Sequence, residues 1–434
     1  MKNTFLFFIF LIVSTNSYCQ EWTTQIDSVL TIVSDNQLFD GQVLIAENGT
    51  IRFHKAYGTN EDGKQIKKNT SLGISSVSKA FTAVSILMLV DRGHLNLTNK
   101  LTDYFPELPY KDVTIESLLN MTSGLPRFQP TIATYLDSTK VYTSNEIIKL
   151  VAKYKPDNII RGEKFGYNGD NYILLAAIVE KVSGEPFATF VKQNIFEPIG
   201  MANSFVYNRE QAINGKPLSA SFGPPLGDSH IHSTAYDLYL FDQALYTNQL
   251  LSQKTLKKSF EMTPLNDGSL SNYGFAWRLN KTDDVNEAYI VGDGENKRSS
   301  LQRYMNNKKT FIYLHDISGS NWKGVYGAVR NIWEGKLFEI PEKRTVYDID
   351  TSLYKNYVGS YLSKAFGLLH ITEEDNKLYL RPDPIDGKEE LVPSSNTTFY
   401  FAEQALEWEF FLDENGNVKG LGLKGKPETM GLKQ

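Results

Sequence analysis

Residues 72–96 read LGISSVSKAFTAVSILMLVDRGHLN. A serine and a lysine three apart, Ser76 and Lys79, head an apolar run that continues to Val90. The pattern predicts a helix over 76–92, with Gly93 where a helix stops. Positions i and i+3 share a helix face, so the two side chains can touch. Apolar residues occupy nearly every side from Ala80 to Val90, which marks a helix buried all round. The run is shorter than the ~20 apolar residues that span a bilayer. It therefore reads as the central helix of a large core.

A serine hydroxyl is a weak nucleophile until a neighbour takes its proton, and a lysine whose pKa is lowered by burial or by another cation can do so. A serine in the first turn also meets the positive end of the helix, which favours an oxyanion beside it. The spacing alone decides little. Ser320-Asn-Trp-Lys323 and Ser352-Leu-Tyr-Lys355 share it, and by itself Ser76 reads as a helix-capping residue.

Outward from this helix, FDGQVLIAENGTIRFHKAYG (39–58) alternates around Asn48-Gly49, a hairpin-turn dipeptide. From about 97 to 265, helical patterns alternate with loops, and 172–194 reads as two helices split at Gly-Glu-Pro. Residues 273–279, 286–291 and 309–315 return to strand-like composition. Strands, then helices, then strands predict an α+β domain over 20–340. Its first and last strands should be neighbours in one antiparallel sheet, with an all-helical region inserted. Beyond a polar linker, 345–434 alternates in short runs with a turn at Asn415-Gly416, so a small all-β domain is expected. Its aromatic stripe (Phe399, Phe401, Trp408, Phe410) reads as sheet core.

The 434 residues are 41% hydrophobic, which is a globular composition, and the net charge is −5. No basic tract is present, so nucleic acid is not an expected partner. Residues 1–19 carry Lys2, an apolar stretch from Phe5 to Val13, and Ser17-x-Cys19 before Gln20, the layout of an export signal. Cleavage there removes the single cysteine and leaves no thiol nucleophile, disulfide or thiolate metal site. Lipidation of Cys19 is the weaker reading, because Tyr18 before it is bulky. The mature protein is expected to be periplasmic or secreted, with no membrane span.

The full stretch 72–109, ending DYFPELP, resembles the opening of the serine β-lactamase and penicillin-binding-protein-like hydrolases of class C type. The likeness continues through VTIESLLNMTSGLP (113–126), FGYNGDNYILLAAIVEKVSGEPF (165–187), HSTAYDLYLFDQALYTNQLLS (232–252) and YGFAWRL (273–279), and covers about 25–335. It implies that Ser76 is the nucleophile, Lys79 its proton acceptor and Tyr167 the tyrosine of Tyr-x-Asn. Gly169 stands where that asparagine belongs, with Asn168, Asp170 and Asn171 as neighbours that can replace it. The third motif, a Lys or His two residues before a glycine, aligns best with Ile290-Val291-Gly292. Shifted registers put Val291 or Asp293 at the cationic place, so no register supplies a cation, although Lys297 and Arg298 follow closely. The backbone at Gly292 is expected to approach a substrate oxygen.

The resemblance implies an acyl-enzyme hydrolase of esters, amides or peptides, without a cofactor, and the missing cation favours neutral substrates over carboxylate-bearing β-lactams. The other reading is a hydrolase-fold binding protein with decayed chemistry. The C-terminal piece resembles the small β domain appended to such hydrolases. Elsewhere, His230-x-His232 has a metal-like spacing but no acidic or thiolate partners to complete a zinc set, and reads as two surface histidines. Neither a Gly-x-Ser-x-Gly elbow nor a phosphate loop is present.

Overall fold

The Asn48-Gly49 turn folds as its composition requires. In the computed structural model, β1 (Gly41–Glu47) and β2 (Thr50–Tyr57) pair antiparallel. Asn48 and Gly49 are both left-handed (φ 52° and 69°), as a two-residue turn between twisted strands demands. The structure describes residues 21–434 apart from 61, 129–131, 133, 136–141, 154–159, 208–226, 283–285, 295–296, 317–321, 344–345, 384–386 and 402–406. The export segment 1–19 and the decoy Ser320 lie outside the described residues.

The chain divides into two compact units, 41–316 and the residues before 41 together with those after 316. In the first unit, β3 (Arg278–Lys281), β4 (Asn286–Gly294), β5 (Lys297–Tyr304) and β6 (Lys309–His315) complete a sheet of order β2-β1-β6-β5-β4-β3. The first and last strands are neighbours, in register from Gly41↔His315 to Ala46↔Thr310. The helices lie between β2 and β3 in sequence. α1 (Ser78–Asp91) is buried from Ser78 through Leu89, so it is enclosed on every side. α2 (Asp170–Ser183) ends at a left-handed Gly184 (φ 75°), and a second helix, Phe187–Val191, follows the Gly-Glu-Pro break.

Two expectations need correction. The strand expected at 273–279 joins the sheet only from Arg278, because the chain turns at Ala276, whose φ is +74°. The composition of β5 gave no sign of a strand, since Arg298, Ser299, Ser300, Gln302 and Arg303 are all polar, yet all five are buried. Ser299 and Arg303 find their partners far along the chain, at Ile74 and Asp242. Arg303 Nε meets Asp242 Oδ1 at 2.5 Å, with side chains 1% and 0% exposed. Asp242 belongs to α3 (Ala235–Ala244), and its Oδ2 accepts from Thr310 on β6. This ion pair ties α3 to the sheet.

The second unit contains helices at 21–35 and Trp322–Trp333 and a closed eight-stranded antiparallel barrel running from Gly359–Ser363 to Lys426–Lys433. A barrel of this size is filled by its own side chains. Phe399, Phe401, Trp408 and Phe410 are buried in its core beside Tyr357 and Tyr361. Among the described residues, no helix is long and apolar enough to cross a membrane.

Removing one member of a buried ion pair strands the other charge, at a cost of about 3–5 kcal/mol. Asp242→Ala is therefore expected to lower stability by that order in chemical unfolding, and a double Asp242→Leu/Arg303→Met change to recover much of it. A single variant as stable as wild type would show that the pair does not anchor α3.

Candidate active site

The segment before α1 is what aims Ser76. Residues Ser75–Val77 form a 3-10 turn ahead of the α-helix, so Ser76 precedes the regular helix and does not lie within it. Ser75 is left-handed (φ 44°), a conformation that costs a non-glycine residue of order 1–3 kcal/mol and persists only where the surroundings enforce it. Those surroundings are β4 and β5. Ser299 Oγ donates to the Ile74 carbonyl at 2.6 Å, and Gly292 lies so close that a Cβ there would overlap Ser299 Oγ and the Ile74 carbonyl. Glycine lets the sheet press against the turn.

Three expected residues come together. Lys79 Nζ is 2.9 Å from Ser76 Oγ, and the Tyr167 hydroxyl donates to the same oxygen at 3.0 Å. Lys79 is 1% exposed, and its second partner is the Asp228 carbonyl at 2.9 Å. Ser76 and Tyr167 are half-buried. Lys79 Nζ sits 5.4 Å from the Tyr167 ring centroid, and the exposed Arg278 guanidinium lies 5.9 Å from that centroid. Tyr273 meets Tyr167 edge-on at 6.4 Å, and burial, reinforced by Tyr167, holds the Tyr273 hydroxyl well above its ordinary pKa.

The neighbours of Tyr167 do not replace the missing asparagine. Asn168 is 4% exposed and donates to the Leu125 carbonyl, Asp170 accepts from the Phe128 amide, and Asn171 accepts from Ser123. All three face inward and tie the start of α2 to the loop after Met121. A different residue occupies the gap. A Cβ on Gly169 would lie 3.1 Å from Asp228 Oδ2, so a carboxylate stands beside the place of the family's carboxamide.

The third motif carries no cation in the structure either. Ile290 is 4% exposed and packs in the hydrophobic core, Val291 is half-buried, and Asp293 is exposed and ion-paired to Arg298 at 3.0 Å. Lys297 turns toward Gly73 and lies 3.9 Å from Asp316. Gly292 acts on the serine turn by close approach, a role its place in the motif did not suggest.

The two histidines are not surface groups. His230 is 6% exposed, with Nδ1 3.6 Å from Asp228 Oδ1. Burial pulls its pKa below the ordinary value, Asp228 opposes that and Lys79 adds to it. His232 stacks on Phe205 and Tyr207 and is pulled down to about 4, first by burial and then by Lys297 and His230. Among the described residues, no group of three or more His, Cys, Asp or Glu is placed to hold a metal ion. Asp228 and Arg278 were not anticipated as site residues. Arg278 lies inside the recognised YGFAWRL, whereas Asp228 lies just before the next recognised segment and has no local signature.

The fold and the Ser-Lys-Tyr geometry agree with the comparisons. A family model described as Beta-lactamase matches residues 31–331, and another, described as a domain of unknown function (DUF3471), matches 343–434. Penicillin-binding protein 4* of Bacillus subtilis (strain 168) is 31% identical over 426 residues, covering 90% of this chain and 94% of that protein. The octameric penicillin-binding protein homologue from Pyrococcus abyssi superposes with a TM-score of 0.60 at 19% identity, over 93% of this chain and 97% of its own. D-amino acid amidase from Ochrobactrum anthropi SV3 gives 0.59 at 21% identity, over 72% and 98%. The chain belongs to the β-lactamase family, in the branch that resembles penicillin-binding proteins and carries an appended C-terminal β domain.

If β4 must touch the serine turn, Gly292→Ala should push the strand off Ile74 and misplace Ser76. The expected result is a loss of about 10²-fold or more in the rate of Ser76 acylation, on the scale set by small misplacements of reacting groups, with the far-ultraviolet dichroism kept. Unchanged acylation would show that the approach is incidental.

Proposed function

We propose that the protein is an exported serine hydrolase that works through an acyl-enzyme on Ser76, with neutral esters, amides or peptides as substrates. One observation carries the reading. The Ser76 hydroxyl oxygen lies within hydrogen-bond distance of both Lys79 Nζ and the Tyr167 hydroxyl, 2.9 and 3.0 Å away.

In this reading the Lys79 amine takes the Ser76 proton as Oγ bonds to the substrate carbonyl carbon. The positive end of α1 faces the resulting oxyanion. Tyr167 gives a proton to the leaving oxygen or nitrogen as its bond to carbon breaks, and the proton held by Lys79 replaces it on the tyrosine. Water then attacks the ester on Ser76, returns the acid and restores the hydroxyl. Aligning the serine with its proton acceptor in advance is worth several orders of magnitude in rate. Export rests on residues 1–19 alone, and the amide substrate class is in keeping with the fold shared with D-amino acid amidase.

A fluorophosphonate or fluorescent penicillin offered to the full chain tests this. Label on wild type that disappears in Ser76→Ala is the expected result. If no acylating probe labels the wild type, the chain is a binding protein on a hydrolase fold.

A further inference from the structure

We infer that Asp228 selects the acyl half of the substrate, and that it selects an acyl group carrying a free ammonium beside the scissile carbonyl, as an aminoacyl ester or amide does. The inference rests on the hydrolase reading above and replaces its neutral substrates with ones that carry a positive charge on the acyl side.

Asp228 is held in place through its backbone. Its carbonyl accepts from Lys79, the Gly227 carbonyl accepts from Thr82 Oγ1 at 2.6 Å, and the Ile231 amide donates to Ser78 Oγ at 3.0 Å. Polar residues of α1 thus hold the 227–231 segment along the helix that follows the nucleophile. The Asp228 side chain, 11% exposed, has two unlike oxygens. Oδ1 accepts from Ser229 Oγ at 3.1 Å and faces His230, whose pKa burial pulls below its ordinary value. Oδ2 points at Gly169 and has no hydrogen-bond donor among the described residues.

Oδ2 is not among the sealed, partnerless atoms of the described residues, so a ligand can reach it and supply a donor. Its location says which ligand. Gly169 stands two residues after Tyr167, whose hydroxyl meets Ser76, and a carboxamide there could donate as well as accept, whereas a carboxylate can only accept. Exchanging one for the other inverts what the subsite asks of the substrate: a donor in place of an acceptor. An ammonium is the strongest such donor. The charged and titratable groups facing Asp228 are Lys79 and His230. When Lys79 receives the Ser76 proton, Asp228 also offsets the repulsion between the new ammonium and the substrate's own.

The test compares alanyl p-nitroanilides of both chiralities with their N-acetyl counterparts, on the full chain and on Asp228→Asn. Wild type should favour the free amine in kcat/KM by about 10- to 100-fold, the worth of a hydrogen bond to a charged group. The ratio should collapse or invert in Asp228→Asn, which restores a carboxamide. It should also fall in wild type as pH rises through the substrate amine's pKa, a readout that needs no variant to fold. An unchanged ratio in a folded variant, or equal losses on both substrates, would show that the carboxylate serves Lys79 or the fold instead, and overturns the inference. If neither anilide turns over while Ser76 still takes a fluorophosphonate, the inference falls and the hydrolase reading stands. Absence of labelling removes both.

Discussion

The burial of Lys79 is the constraint on which the rest of the site depends. A lysine with 1% exposure at the head of a buried, mostly apolar helix needs a polar partner for its nitrogen. It has two, Ser76 Oγ and the Asp228 carbonyl. One brings in the turn that β4 and β5 press into a left-handed Ser75, and the other brings in the 227–231 segment. Tyr167 closes the group from the start of α2. These segments are distant in sequence, and the lysine is their common point.

Much of this was legible in the chain because its causes are local. An apolar run enclosed on all sides, an Asn-Gly between alternating residues and an aromatic stripe each encode their own surroundings, and they became α1, the β1–β2 hairpin and the barrel core. The strand β5 was illegible for the opposite reason. Two of its buried polar side chains, Ser299 and Arg303, bond to Ile74 and Asp242, and no window around Arg303 reveals an aspartate 61 positions earlier. The trio Ser76, Lys79 and Tyr167 could be placed by motif. The replacement for the missing asparagine could not. Asn168, Asp170 and Asn171 are adjacent in sequence and point away, whereas Asp228 comes from a different segment and faces Gly169.

The two departures from the family pattern affect the substrate more than the serine. Neither Gly169 nor Ile290 touches the contacts among Ser76, Lys79 and Tyr167. They change instead what stands at the two motif positions: a carboxylate beside the place of a carboxamide, and an aliphatic core residue where the family has a cation. On the proposed reading the proton path is kept while the recognition chemistry changes sign, from groups that bind acceptors and anions to one that binds donors.

That account stands or falls on Lys79 acting on Ser76 chemically as well as supporting it structurally. The most direct measurement is the rate at which a neutral activated ester acylates Ser76, followed by intact-protein mass in wild type and in Lys79→Ala, with dichroism and thermal midpoint confirming that both are folded. The account predicts a drop of about 10²- to 10⁴-fold, the range that positioned proton acceptors contribute. Equal rates in two folded proteins would contradict it.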